Sequence, residues 1–337
     1  MSTPELQDRP PTSAALLPER SENEGRFSPV AACWICEGLQ LAPVLPVRFE
    51  FSIYREQDPE LADYTNAALN LNRCGDCGFM QPAGLPTLPE FFSRMYDTRW
   101  SPDWVEMEFT AAYRDPVFQT VLRELGRRVA GQPRRLLDVG AHVGKFVDLA
   151  ARSGWDSEGI ELNPTTASFA ARKTGRKIHQ QRAEALADAG LSFDAVTILD
   201  VLEHIPDPVP VLTGLQKLLT PGGWIAVKVP CGENQLRKER WRTRLQAGYR
   251  INLADNLVHV NHFTPRALRL ALERAGFTDI ELTLGAPEEL PLRPGLDVKG
   301  RLSRGFRQTV YHLGRTLPGG VNTPLAMNLQ AYARRAR

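Results

Sequence analysis

From Arg134 onward the chain alternates short apolar runs with stretches whose apolar residues recur at helical spacing. The run "RRLLDVG" predicts a buried strand ending at Asp138, and "KFVDLAARSG" after it predicts a helix. "DSEGIEL" predicts a second strand ending at Glu161, followed by the helical pattern "PTTASFAARKTG" and a short strand around "KIHQQ". "FDAVTILD" predicts a further buried strand ending at Asp200, and the helix "VPVLTGLQKLLT", a "PGG" turn and the strand "WIAVKVP" follow. "TDIELTLG" and "PLAMNLQAYARR" predict two more strands, the last antiparallel at or near the sheet edge. Strands and helices alternating at this spacing predict an α/β fold, a doubly wound sheet of seven strands. Its ligand crevice lies at the carboxyl ends of the strands, where Gly140, Glu161 and Asp200 fall.

The turn after the first of these strands holds Gly140 and Gly144, so it is built to take a ligand close to the backbone. It is not a dinucleotide fingerprint, because His142 stands where the middle glycine would admit a pyrophosphate. It is not a phosphate-cradling loop either, since Lys145 is followed by Phe146 rather than by Ser or Thr. Glu161 lies 161 − 138 = 23 residues after Asp138, at the end of the next strand, where an acid can accept hydrogen bonds from both hydroxyls of a ribose.

The amino-terminal part reads differently. Residues 1–28 are rich in Pro, Ser and Glu and predict a disordered lead; acids from the start and no apolar core exclude a secretory signal, so the chain reads as cytoplasmic. Four cysteines follow in two Cys-x-x-Cys pairs, Cys33 with Cys36 and Cys74 with Cys77, separated by 37 residues. In an intracellular protein such pairs predict four thiolates around one structural Zn²⁺, with no position left for substrate. Between them the alternating run "VRFEFSIYRE" predicts a strand or hairpin covering the site. The domain plan is therefore a lead over 1–28, a zinc-binding domain over 29–86, a helical linker or active-site cover over 87–131, and the main domain over 132–337.

Taken in order, "DVGAHVGKF", "GIELNP", "FDAVTILDVLEHIPDP", "LTPGGWIAVKVP" and "HVNHFTPRALRLALERAGF" resemble a class I S-adenosylmethionine-dependent methyltransferase. The two Cys-x-x-Cys units, with the aromatic segment "EFFSRMYDTRW" after them, resemble the zinc-binding domain that precedes some of these enzymes. Sugar, polysaccharide and natural-product methyltransferases share that layout. The resemblance implies a Rossmann-like sheet, S-adenosylmethionine as cofactor, and a small-molecule acceptor methylated at oxygen or carbon. It implies that Asp138, Gly140, Ala141 and Gly144 meet the methionine part and that Glu161 holds the ribose. Ala183 and Glu184 would flank the adenine, while Asp200 and Val201 would line the methionyl side. His142 departs from the small residues usual in the loop and is expected to point outward.

An acceptor that must lose a proton needs a base, and His204, His259 and His262 are the candidates, histidine titrating near working pH. Their bland role is structural: a hydrogen-bonding Glu203-His204 pair, and an "HFTP" helix start capped by Thr264. The 41 basic and 39 acidic side chains leave a net charge of +2, so nucleic acid is not expected as a partner. Charge is uneven only locally. Six Lys/Arg between Arg237 and Arg250 suggest a grip on a phosphate-bearing acceptor. Over 299–317, Leu302, Phe306, Val310, Leu313 and Leu317 recur at helical spacing among arginines, a pattern suited to an anionic membrane surface or to a helix packed on the sheet. An RNA methyltransferase and a non-catalytic binding scaffold remain the competing readings.

Overall fold

The computed structural model describes residues 25–97, 102–131, 133–289 and 298–336. The amino-terminal module contains β1 (Phe27–Pro29), β2 (Leu41–Arg48), α1 (Pro59–Ala62), β3 (Ala68–Cys74), β4 (Met80–Pro82) and β5 (Gly84–Pro86). β2, β3 and β4 form an antiparallel sheet, and β1 pairs with β5. Residues 1–24 of the expected lead lie outside the described residues. Its last part does not: Phe27 puts its ring 5.3 Å from Phe49 and 5.6 Å from Tyr64, which anchors β1. The "VRFEFSIYRE" run keeps its alternation of burial, with Val47, Phe49 and Phe51 all inside. As a strand, however, it stops at Arg48 and turns into a short 3-10 helix, Ser52–Tyr54. The aromatic core holds Phe49, Phe51, Tyr64 and Phe91 together, so the segment stays buried without a partner strand.

Three helices form the cover: α2 (Phe91–Asp97), α3 (Pro102–Thr110) and α4 (Asp115–Arg128). The main unit then runs β6 (Arg135–Val139), α5 (Lys145–Arg152), β7 (Asp156–Ile160), α6 (Pro164–Thr174), β8 (Ile178–His179), α7 (Ala183–Asp188), β9 (Phe193–Leu199), α8 (Pro208–Lys217), β10 (Leu219–Pro230), α9 (Gly232–Leu245), α10 (Pro265–Arg274), β11 (Phe277–Leu284), α11 (Val298–Thr316) and β12 (Asn328–Arg335). Its seven strands lie in the order β11-β12-β10-β9-β6-β7-β8. β6 to β10 are mutually parallel, and β12 is antiparallel to both neighbours. β12 therefore sits one place in from the edge, which β11 forms. The central strands are apolar on both faces, as helices on both sides require; Leu136, Leu137, Val196, Ile198, Ile225 and Val227 are fully buried.

The cysteine module and the sheet share one core. Cys33, Ile35, Cys74, Cys77 and Phe79 pack in the same cluster as the sheet residues, and the Phe79 and Phe263 rings stand 5.1 Å apart. Thr264 joins the two chemically: its hydroxyl accepts from the Ala267 N–H as the cap of α10 and donates to the Cys77 carbonyl at 3.0 Å. At the other end of α10, Arg274 donates to the Ile35 carbonyl. α11 packs through Tyr311 and Gly314, the latter against Leu284, and turns Leu302, Phe306, Leu313 and Leu317 to solvent. Its apolar stripe therefore does not pack on the sheet. Among the described residues no helix is long and apolar enough to cross a membrane.

Candidate functional site

The glycine turn links β6 to α5 beneath α3. Gly140 and Gly144 take φ of +76° and +80°, which glycine adopts without strain. A Cβ at Gly140 would stand 2.4 Å from a methyl of Val201, so Val201 closes over the turn. At Gly144 a Cβ would meet Ala170 of α6 at 2.9 Å, so the turn also packs tightly on that helix. The amides of Gly140 and Ala141 donate to the Ile160 carbonyl and tie the turn to the end of β7. Glu161 follows directly. One carboxylate oxygen accepts from the His142 N–H and the other from the Asn163 N–H, each at 2.8 Å. The side chain is thus aimed, and burial raises its pKa against those hydrogen bonds.

A cleft opens beside this turn, lined by Asp138, Gly140, Ala141 and His142 from below and by Tyr113 and Arg114 from the cover. His142 was expected to point outward. It lines the cleft instead, with its ring edge-on to Trp104 at 5.2 Å, and burial lowers its pKa to about 4. Asp138 is buried and accepts from the Thr197 hydroxyl at 2.6 Å; burial pushes it up to about 7. Arg114 is the residue that the sequence reading missed. It donates to Asp200 at 2.7 Å, and Lys228, 2% exposed, reaches the other oxygen of the same carboxylate at 2.5 Å. Burial disfavours a charged Asp200, but Lys228 and Arg114 outweigh it and hold the pKa below the ordinary value. The Asp200 carboxylate is therefore committed to protein cations. A single Arg before a proline-started helix, in "YRDP", carries no pattern that would have singled it out.

Beyond Asp200 the chain makes a 3-10 turn, Leu202–His204, clamped to the loop before α10. The Glu203 carbonyl accepts from the Val260 and Asn261 amides, and the Asn261 side chain donates to the Leu202 and Ile205 carbonyls. This brings His204 and His259, far apart in sequence, to a ring separation of 4.8 Å. Burial first, then His204, lowers His259 to about 4. His262 is not part of this group. It is 2% exposed, its backbone pairs with Met80, and a Cβ on Gly232 would strike its Cβ at 2.4 Å. Of the adenine candidates, Ala183 is buried at the start of α7 while Glu184 is exposed beside Gly214 of α8. None of the α9 cations lines the cleft among the described residues; Arg237 and Arg242 pair with Glu233 and Glu239 on their own helix.

The four cysteines converge, their sulfurs all within 4.8 Å, with Cys33–Cys77 at 3.6 Å and Cys36–Cys74 at 3.4 Å. Sulfurs around a tetrahedral zinc stand ~3.8 Å apart, so the set fits the ion. Gly78 at φ +75° and Glu37 at φ +60° make the two knuckles. The Cys77 thiol hydrogen-bonds Cys33, which lowers Cys33 and raises Cys77.

A glycine turn after one strand, an aimed acid after the next and a crevice at the strand ends form the frame of an α/β enzyme that binds a nucleoside-bearing ligand. The family described as "Methyltransferase domain" matches residues 110–282. The chain belongs to that family, as its sequence resemblance implied. A "Ubiquinone biosynthesis O-methyltransferase" from Paracidovorax citrulli is 41% identical over 101 residues, 28% of this chain and 42% of that protein. One of the same name from Psychrobacter arcticus is 34% identical over 187 residues, 52% of this chain and 69% of that protein. The chain thus spans about two-fifths of the length of the first of these relatives. A solved S-adenosylmethionine-dependent methyltransferase from Archaeoglobus fulgidus aligns over 69% of this chain and 98% of its own, with 18% identity and a TM-score of 0.44.

Burial of His262 makes one testable consequence. Burial and then the nearby His259 depress its pKa to about 3, so the folded protein leaves it neutral while the unfolded chain binds a proton below about 6.5. Its contribution to stability is complete above that pH and is lost as pH falls, by about 1.4 kcal/mol per unit. In urea unfolding, the stability gap between wild type and His262→Gln should shrink by about 2 kcal/mol from pH 7.5 to pH 5. An equal gap at both values would show that this histidine titrates alike in both states.

Proposed function

We propose that the protein transfers a methyl group from S-adenosylmethionine to a hydroxyl oxygen on a small ring-bearing molecule, of the sugar, polysaccharide-precursor, natural-product or quinone-precursor type. The observation that carries this reading is Glu161, fixed by two backbone amides beside the glycine turn of a methyltransferase domain. The residues suit the donor: Gly140 gives the turn its positive φ, with Val201 packed over it, and Glu161 offers an aimed acceptor for ribose hydroxyls. Arg114 sets a guanidinium at the cleft for a carboxylate, and Ala183 and Glu184 are the proposed neighbours of the adenine. Bound there, S-adenosylmethionine supplies a methyl group on a sulfonium that is already a good leaving group.

What remains for the chain is alignment and care of the acceptor's proton. Fixed positioning of two reactants is worth about 7–11 kcal/mol of barrier. Proton handling falls to the Glu203, His204 and His259 group, which follows directly from the end of β9; His262 is too enclosed to take part. The names of the relatives favour oxygen over carbon as the atom methylated. An RNA acceptor is disfavoured by the near-neutral charge and by the self-paired arginines of α9. A non-catalytic scaffold is disfavoured by the aimed Glu161. In the amino-terminal module the four cysteines hold one structural Zn²⁺, whose role is to fix the knuckle on which α10 begins.

Incubating the protein with methyl-labelled donor and separate panels of hydroxylated rings, nucleotide sugars and extracted RNA tests the reaction. Label is expected in the first or second panel as a methyl ether; label in RNA alone, or in none, would sink the proposal. For the zinc, metal analysis should find one ion held by the cysteines, lost in Cys74→Ser together with stability of the amino-terminal module. Well-folded wild-type protein whose cysteines hold no metal would remove this assignment.

A further inference from the structure

Resting on that reading of the site, the cover does more than enclose the cleft. S-adenosylmethionine is a sulfonium with a free amino-acid end, so it carries two positive charges and one negative. Its carboxylate has a partner in Arg114, but its ammonium needs an acceptor that keeps a negative charge. Among the described residues two acids line the cleft, Asp138 and Glu108. Asp138 is 4% exposed, accepts from the Thr197 hydroxyl and is pushed up to about 7 by burial. It is a poor counter-ion near neutral pH, since much of it is protonated there. Asp200 is already bound to Arg114 and Lys228, and both Glu161 oxygens to backbone amides.

Glu108 is left, and its surroundings fix where it stands. It lies on the last turn of α3, half-buried, with the Tyr113 hydroxyl donating to its Oε1 at 2.5 Å. Burial first, and then this carboxylate, raise the Tyr113 pKa, so the phenol remains a donor at working pH. The second oxygen of Glu108 has no hydrogen-bond partner among the described residues. The next residue, Phe109, is buried with Val105 and Val143, and its carbonyl accepts from Lys145 at 2.8 Å. Lys145 opens α5 directly after the glycine turn, so this end of α3 is tied to the turn. Trp104 adds a second tie, its ring standing against His142 of the turn itself. Glu108 and Arg114 thus bring one charge of each sign from the cover to the same cleft.

We propose that Glu108 binds the ammonium of the methyl donor, so that Glu108 and Arg114 together read its amino-acid end as a zwitterion. A hydrogen bond from an ammonium to a carboxylate is charge-assisted and stronger than a neutral one. A donor that lacks the ammonium would leave Glu108 desolvated and unpaired, which is the source of the discrimination. Because Glu108 rides on α3, donor binding also adds one more tie between the cover and the turn. Tyr113 is the positioning residue of this contact, holding the carboxylate in one orientation.

The test compares two ligands by calorimetric titration: S-adenosylmethionine, and its analogue with hydrogen in place of the α-amino group. Wild-type protein should bind the analogue at least about tenfold more weakly. Glu108→Gln, which keeps the side chain's shape, should lose at least about tenfold for S-adenosylmethionine and less than about twofold for the analogue. Tyr113→Phe, which frees the carboxylate to turn, should show the same pattern at smaller size. Wild-type protein that binds the two ligands equally overturns the proposal without any variant. So does a Glu108→Gln protein that binds S-adenosylmethionine as tightly as wild type, or one that loses both ligands alike, as a merely structural role would have it. Each of these leaves the methyl-transfer reading standing, whereas wild-type protein that binds no S-adenosylmethionine removes that reading and this inference together.

Discussion

The arrangement of the site depends on one carboxylate held between two cations. Asp200 leaves β9 at φ +56°, a conformation that aspartate tolerates better than most residues, and meets Lys228 from β10 and Arg114 from the cover. Three separate segments are joined at one point. Removing one member of such a buried cluster typically costs about 3–5 kcal/mol, because a charge is left without its partner. Arg114 therefore keeps the cover over the glycine turn, and Lys145 reinforces it by donating to the Phe109 carbonyl. The same turn in the chain delivers Val201 to Gly140 on one side and Glu203 to the loop before α10 on the other. The cleft at the glycine turn and the Glu203, His204 and His259 group are thereby set on either side of Asp200.

The second constraint is the docking of the cysteine module on the start of α10. Thr264 and Phe263 each serve both parts, and Met80 pairs with His262. The loop that carries His259 is thus held at one end by the cysteine knuckle and at the other by Glu203. The cysteine module thus reaches the Glu203, His204 and His259 group through that loop, by fixing its backbone. This gives the amino-terminal module a mechanical part in the site without any contact with the ligand.

How much was legible in the sequence follows from what kind of signal each residue carried. The parallel strands were readable because burial on both faces leaves uninterrupted apolar runs such as "FDAVTIL". Glu161 was readable because the strand's end fixes where an acid can stand, and the cysteines because their spacing suits one ion. β12 was readable as antiparallel at or near the edge, but which of the last two strands is outermost was not, since strand order is decided by packing between segments far apart in sequence. Nor was Arg114, an isolated cation whose value comes only from the carboxylate it meets. That Gly144 also packs on a helix was not readable, because a positive φ and a tight packing contact leave the same trace, a glycine. Between pointing outward and crowding the site, His142 was expected outward, whereas the Trp104 ring gives it an apolar place to stand at the cleft. The three histidines looked alike in sequence, and only their burial and partners separate His262 from the other two.

The central claim is that the glycine turn and Glu161 hold the methyl donor. Calorimetric titration of S-adenosylmethionine into wild-type protein and Glu161→Gln tests it most directly, with thermal unfolding run alongside to confirm that the variant folds. The account predicts that binding weakens by about 1–3 kcal/mol, the usual cost of taking a charged acceptor from a buried donor. Equal affinity in a folded variant would place the donor elsewhere and contradict the account.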